Sequence, residues 1–313
     1  MEAKTPVTLR EAIAHFSDLN NCVAYMVSKR WPGGVTCPTC GNTKVTFDPK
    51  SYRWQCSSHH AKRKFSLKTG TILEDSPIGL DKWLPVIWLV TNCKNGVSSW
   101  EIHRAMGVTQ KTAWFMLQRA RMALQGKNGG KLSGEVEADE SFIGGKARNM
   151  HAHKRAEKIH GRGPDGQAIV AAVLERGGEV RVEVMKTRKK RDLHKLVREN
   201  VEAGSAVYTD ALKSYDGLDE FKHQVVDHAE TYVNGQVHTN GCENFWSLLK
   251  RGVHGTYVSI EPFHLHRCID EQAFRFNQRG LNDAERFDLA VSQIVGKRLT
   301  YKALTGHEDD EPF

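Results

Sequence analysis

Asp139, Asp210 and Glu243 lie in order along the second half of this chain, each in a setting that an open α/β sheet could bring to one place. Asp139 falls inside Glu135-Val136-Glu137-Ala138-Asp139-Glu140-Ser141-Phe142-Ile143, an alternating stretch ahead of Gly144-Gly145 that reads as a strand entering a turn. With a side-chain period of two, Glu135, Glu137 and Asp139 share a face; Glu137 is then either a partner beneath Asp139 or, as expected here, an ordinary exposed strand residue. Asp210 closes Ala206-Val207-Tyr208-Thr209-Asp210, a β-branched and aromatic run that reads as a buried strand. Glu243 belongs to His238–Arg251, where Thr239 or Asn240 can cap a helix whose apolar stripe is Phe245, Leu248 and Leu249. Lys250 follows Glu243 by nearly two turns, on the same helix face. Such a trio suits Mg²⁺ or Mn²⁺, hard cations that take a few carboxylates and leave their other positions to water and phosphate. Two of them about 3.5–4 Å apart activate the attacking oxygen and stabilise the leaving oxygen of a phosphoryl transfer. One acidic residue alone is commonly a solvated surface charge. The strand-end, strand-end, helix setting of all three is what argues for a site.

A second metal pattern lies upstream. Cys37-Pro38-Thr39-Cys40-Gly41 is followed by Tyr52-Arg53-Trp54-Gln55-Cys56-Ser57-Ser58-His59-His60, a knuckle, a short hairpin and a second ligand pair. This is the spacing of a zinc ribbon, with Cys37, Cys40 and Cys56 as ligands and either His59 or His60 as the fourth. A thioredoxin-like redox pair fits poorly, because no βαβ pattern flanks the knuckle. Cys22, Cys93, Cys242 and Cys268 fall in helical patterns and read as packed small hydrophobes.

The elements that must carry these residues follow from periodicity. Leu9 to Lys29 has the spacing of one packed helix. Asp81–Thr91 reads as a helix, and Val97–Met106 as another, capped by Ser98 or Ser99. Gly107-Val108-Thr109 makes a turn into Gln110–Arg121, so Gln110, Lys111 and Thr112 stand at the start of a helix that could read DNA in a helix-turn-helix, with arginines at its end. Gly126–Gly130 breaks the pattern as a linker. Beyond it come a strand at Asp139, strands at Gln167–Glu175 and Glu179–Lys186, a helix at Asp192–Val201, a strand at Ala206–Asp210, one near Val225, the helix of Glu243, and a helix from Phe263 to Arg279. That order is α/β and ribonuclease-H-like. Gly161–Gly166 fits a dinucleotide-binding fingerprint, but it precedes a strand where the cofactor motif must follow one, so it reads as a turn. The basic run from Lys146 to Arg162, with Arg148, Lys154, Arg155, Lys158, His151, His153 and His160, could track a phosphate backbone or remain a solvated loop.

Composition agrees with these motifs. The 313 residues allow one large domain with smaller ones, and a net charge of +8 favours a polyanionic partner. Seven cysteines, an odd number, and the lack of a leader-like start before Arg10 point to a reducing cytosol rather than a disulfide framework. No apolar run reaches membrane-spanning length, the nearest being Trp83 to Val90 with Pro85 inside it, so no membrane association is expected.

With these residues laid out, the chain resembles bacterial insertion-sequence transposases of the DDE class that carry an N-terminal zinc ribbon, the ISXO-like group. Carrying the resemblance are Cys37–Cys40, Lys64–Ile72, Ala138–Lys146, Tyr208–Asp210 and, most specifically, His238–Arg251. It covers roughly residues 15 to 280 and implies a ribonuclease-H-like catalytic domain (131–280) preceded by a zinc ribbon (31–75), and the chain's own patterns place an N-terminal helix (1–30) and a helix-turn-helix domain (76–125) before it, with a helical tail expected at 281–313. It also implies that Asp139, Asp210 and Glu243 are the catalytic triad, with Asn240 a minor rival for the third place, and that Lys250 contacts phosphates at the transposon end. The expected cofactors are Mg²⁺ or Mn²⁺ and Zn²⁺. The expected partners are double-stranded DNA, as terminal inverted repeats and target, and a second copy of the chain, in the cytoplasm at the nucleoid. Two other readings remain: a zinc-ribbon and helix-turn-helix regulator without catalysis, and a ribonuclease-H-like nuclease that cuts without joining.

Overall fold

Asp18 divides the first helical stretch in two, where periodicity alone suggested one helix. α1 (Leu9–Phe16) starts with a capping box between Thr8 and Glu11, and α2 (Leu19–Arg30) restarts on the Asp18 side chain, which accepts from the Asn20 amide. A carboxylate that satisfies the first-turn amides of a new helix is a start signal strong enough to interrupt a continuous apolar period. The computed structural model describes residues 6–126, 129–145, 150–159, 166–226, 238–258 and 260–306. The chain folds as two units, Met1–Gly126 with Gly280–Phe313, and Lys127–Arg279.

In the first unit a three-stranded antiparallel sheet follows α2, made of β1 (Val45–Asp48), β2 (Arg53–Cys56) and β3 (Lys64–Phe65). Then come α3 (Leu80–Asn92), α4 (Ser99–Met106) and α5 (Gln110–Ala123). Ser98, not Ser99, caps α4, through a capping box with Glu101. Gly107 ends α4 in the left-handed conformation, φ 61°, which glycine adopts without a Cβ penalty, and Thr109 caps α5 through the Thr112 amide. Arg119 and Arg121 near the end of α5 are buried, and Arg119 donates to the Leu299 and Glu74 carbonyls, so it ties α5 to the rest of the unit.

The second unit is built on a five-stranded sheet of β4 (Glu135–Ile143), β5 (Ala168–Glu175), β6 (Val180–Met185), β7 (Ala206–Asp210) and β8 (Lys222–Val226). Its spatial order is β6-β5-β4-β7-β8, antiparallel across β6, β5 and β4 and parallel across β4, β7 and β8. A short helix, α6 (Ala152–Lys158), precedes β5, and α7 (Lys190–Asn200) carries the chain from β6 to β7. α7 buries Leu193, Leu196 and Val197 against Val136, Ala138, Ala171, Val173 and Val207 on one sheet face. α8 (Asn240–Gly252) and α9 (Pro262–Asn277) cover the other, where Cys242, Phe245, Trp246, Leu249, Leu265 and Ile269 meet Val170, Ala172 and Leu174. Each fully buried aliphatic side chain contributes roughly 1.5–3 kcal/mol, so both helical layers are held by area rather than by any single contact.

The chain then returns to the first unit with α10 (Asp283–Ser292) and α11 (Tyr301–Thr305). Phe287 of α10 stacks on Tyr25 at 5.5 Å and lies 5.0 Å from Trp88, while Asp288 accepts from Tyr25 Oη and Lys29 Nζ. Among the described residues no helix is long and apolar enough to cross a membrane.

Candidate functional site

The register of the parallel pair β4 and β7 sets Ala138 opposite Thr209. Asp139 and Asp210 are the next residue on each strand, so they leave adjoining strands at the same level and on the same face. Because Val136 and Ala138 pack on the α7 side, Glu137 and Asp139 face the α8 side. α8 lies on that face through Cys242, Phe245 and Trp246, with Glu243 in its first turn and Lys250 in its last. The Trp246 indole donates to Asp139 Oδ2 at 2.8 Å, and the Leu212 amide donates to Asp210 Oδ1 at 3.1 Å.

The electrostatics record the gathering. Burial first, and then the Asp210 and Glu243 carboxylates, push Asp139 up to about 6, against the opposing hydrogen bonds from Trp246 and the Glu140 amide. Mutual repulsion of partly desolvated anions is what a divalent cation cancels, so the donor set fits hard-cation binding. Asn240, the rival to Glu243, is exposed at the first position of α8.

Sequence reasoning passed over Glu140. It faces the α7 side of the sheet, accepts from Tyr215 Oη at 3.2 Å and from Arg188 at 3.4 Å, and is pushed up to about 7 by burial and then by Asp210 and Asp139. Its only sequence signal was adjacency to Asp139. Glu137 departs from the exposed residue expected: it is 1% exposed, because α8 covers this part of β4. There it accepts from Arg176 Nε at 3.0 Å and from the Cys242 amide at 3.0 Å. The α8 cap also differs, since Thr239 sits at the N-cap without a side-chain cap bond and Glu137 reaches in from β4 to take the amide.

These raised values give a pH dependence. A carboxyl whose folded value exceeds its ordinary value binds its proton more tightly when folded, so its contribution to stability is full below about pH 4 and is lost as pH rises through about 6 to 7. In Mg²⁺-free buffer the melting temperature of the second unit should fall by several degrees between pH 5 and pH 7.5, by about 2–4 °C per kcal/mol. Asp139→Asn should remove its share of that slope and leave the share of Glu140. Parallel slopes for variant and parent would disprove the assignment.

In the ribbon, the ligand atoms of Cys37, Cys40, Cys56 and His60 lie within 4.8 Å of one another. The second pair therefore contributes His60, while His59 is exposed. Cys40 Sγ is 3.6 Å from Cys56 Sγ, and Cys37 Sγ is 3.5 Å from His60 Nε2. Those spacings approach the roughly 3.7 Å edge of a tetrahedron with 2.3 Å zinc–sulfur bonds, so the set fits Zn²⁺. Gly41, at φ 73°, turns the knuckle so that its amide donates to the Cys37 carbonyl. Burial raises the Cys37 thiol but is outweighed by hydrogen bonds from the Cys40 and Thr39 amides, which bring it down to about 7 and favour a thiolate ligand.

Of the three residues at the start of α5, Lys111 is exposed, its ammonium 4.7 Å from the Tyr301 ring centre. Gln110 Nε2 donates to Ser99 Oγ across the turn, and Thr112 Oγ1 pairs with Thr109 Oγ1. Of the basic run, His151, His153 and Arg155 are exposed on and beside α6. Lys146, Arg148, His160 and Arg162 lie outside the described residues, as does 161–165 of the glycine motif, and the side chains of Lys154 and Lys158 are likewise not described. Gly166 sits in a turn at φ 82°.

A mixed sheet of this order with carboxylates on its central strands and a covering helix, together with a Cys₃His ribbon earlier in the chain, is the arrangement of a DDE transposase. Residues 131–277 match the model of the ISXO2-like transposase domain, and residues 18–60 match the transposase zinc-ribbon domain. The chain is 32% identical over 237 residues to an uncharacterized protein in transposable element ISH50 of Halobacterium salinarum, an alignment covering 71% of this chain and 79% of that protein. It is 36% identical over 84 residues to an uncharacterized transposase-like protein of Haemophilus influenzae, covering 26% and 68% respectively. The chain belongs to the ISXO2-like transposases.

Proposed function

We propose that this transposase binds the terminal inverted repeats of its element, hydrolyses a phosphodiester at each end, and joins the freed 3′-hydroxyl to target DNA by transesterification. The observation that carries the reading is the placement of Asp139 and Asp210 on adjoining parallel strands beneath the helix that bears Glu243. In this reading Asp139, Asp210 and Glu243 hold Mg²⁺ or Mn²⁺, which supplies charge stabilisation to the attacking and leaving oxygens. Trp246 orients Asp139 through its indole N–H. Lys250, two turns along α8, contacts phosphate beside the scissile bond. Positioning and electrostatics supply most of such catalysis, and no covalent protein intermediate is required. The ribbon and the α4–α5 pair bind the repeat. Joining both ends requires at least a dimer on DNA, and the work is done in the cytoplasm at the nucleoid.

The test is to incubate the zinc-loaded full chain with Mg²⁺ and a duplex carrying its element's end next to flanking DNA. Nicked product ending in a 3′-hydroxyl, followed by joined product, is expected. Cleavage without joining would replace the reading with a nuclease, and shifted but uncut duplex would replace it with a DNA-binding regulator.

Binding should separate into two parts. Lys111→Ala should weaken binding to the repeat by about 1–3 kcal/mol, while random duplex is affected less. Gln110→Ala and Thr112→Ala should do less than Lys111→Ala, because their side chains are already engaged within the unit. Lys250→Ala should instead weaken contacts near the cut strand. Footprinting that shows no change at the repeat for Lys111→Ala would move the recognition element elsewhere.

A further inference from the structure

We propose that Glu137 and Arg176, with Gly241 as the clearance that admits the Glu137 carboxylate, form a lock that fixes the first turn of α8 against β4 and so sets the position of Glu243. The inference rests on the metal-site reading of Asp139, Asp210 and Glu243.

Glu137 is buried on the central strand two residues before Asp139, on the same face. One carboxylate oxygen, Oε2, accepts from the Cys242 amide at 3.0 Å; the other, Oε1, accepts from Arg176 Nε at 3.0 Å and lies 3.2 Å from His238 Nδ1. Cys242 is the third residue of α8, so Glu137 fills the place a local N-cap side chain would take, and its charge complements the helix dipole. Arg176, in the β5–β6 turn, holds the other side. Its guanidinium donates to the His238 carbonyl at 2.9 Å and to Glu135 at 3.2 Å, and it stacks on Tyr208 at 4.3 Å. The lock therefore joins β4, β7, the hairpin turn and the residue entering α8. Gly241 makes the close approach possible, because a Cβ there would lie 2.8 Å from Glu137 Oε2 and 2.8 Å from Leu174 Cδ2.

Glu243 follows Cys242 directly, and its amide donates to the Thr239 carbonyl within the locked turn. Its carboxylate is thus presented from a backbone whose register is set by Glu137 rather than by α8's own cap. Glu137 is a positioning residue: its oxygens are used up on α8 and Arg176.

The test uses zinc-loaded full chain and Mn²⁺ alone, titrated by electron paramagnetic resonance, with amide exchange followed along α8. Glu137→Gln should weaken Mn²⁺ binding roughly 10-fold. It should also speed exchange of residues 240–243 roughly 10-fold, with the last turn of α8 unchanged. Gly241→Ala should do the same from the other side of the contact, and it carries the test if Glu137→Gln does not fold. Faster exchange with unchanged Mn²⁺ affinity would overturn the positioning role, and unchanged exchange would overturn the lock. If parent and Asp139→Asn bind Mn²⁺ equally, the metal site itself fails, a result distinct from loss of the lock.

Discussion

Asp139→Asn, Asp210→Asn and Glu243→Gln should each lower Mg²⁺-dependent cleavage and strand joining at least about 1,000-fold, the equivalent of roughly 4 kcal/mol of transition-state stabilisation. Mobility-shift affinity for the repeat should stay within a few-fold of the parent. The structure explains why these changes spare the fold. Asp139→Asn would keep an oxygen for the Trp246 indole and give up only the bond from the Glu140 amide, Asp210→Asn would keep one for the Leu212 amide, and Glu243 is exposed. What each loses is the negative charge that holds a hard cation. Asn240→Ala is the control and should retain substantial activity. Near-parental activity in one acidic variant would remove that residue from the site, and in all three would return the chain to a DNA-binding regulator.

Removing the ribbon's zinc should have the second largest effect. The purified chain should hold about one Zn²⁺, and Cys37→Ser should bring this close to zero. The ribbon has strands of four, four and two residues and an aromatic cluster of Trp31, Phe47, Trp54 and Phe65, too little apolar area to stand alone. Zinc binding worth roughly 10–16 kcal/mol in small metal domains is then folding energy. Cys37→Ser should unfold this segment while the five-stranded sheet still melts cooperatively. His60→Ala should release metal to a colorimetric chelator and His59→Ala should not, since only His60 joins the three thiols. Full zinc in Cys37→Ser would refute the ligand assignment.

The division of stability between the two sites has a common logic. The ribbon replaces a missing core with a metal, whereas the carboxylate cluster is tolerated by a core that is already complete on both sheet faces. Burial raises Asp139 and Glu140 at the expense of the metal-free fold, so the cluster lowers stability where it serves chemistry. Mg²⁺ or Mn²⁺ should therefore stabilise the second unit and leave the zinc-loaded ribbon unchanged.

The sequence by itself determined the elements whose signals are local. The alternation around Asp139, the β-branched run ending at Asp210, the Cys-x-x-Cys-Gly knuckle and a serine cap at Ser98 or Ser99 each depend on residues a few positions apart, and their strands and helices lie within a residue or two of where periodicity set them. The order of strands and helices was enough for the fold class, because βαβ handedness and sheet burial leave few topologies. Only the tertiary structure decided what depends on distant partners. It split the first helix at Asp18, selected His60 over His59, and drew Gly280–Phe313 back to the first unit. It also buried Glu137 under α8, where a carboxylate from β4 caps a helix more than a hundred residues later in the chain. A period-two pattern states which side of a strand a residue takes, but whether that side meets water or a helix is fixed by packing, and packing is not periodic.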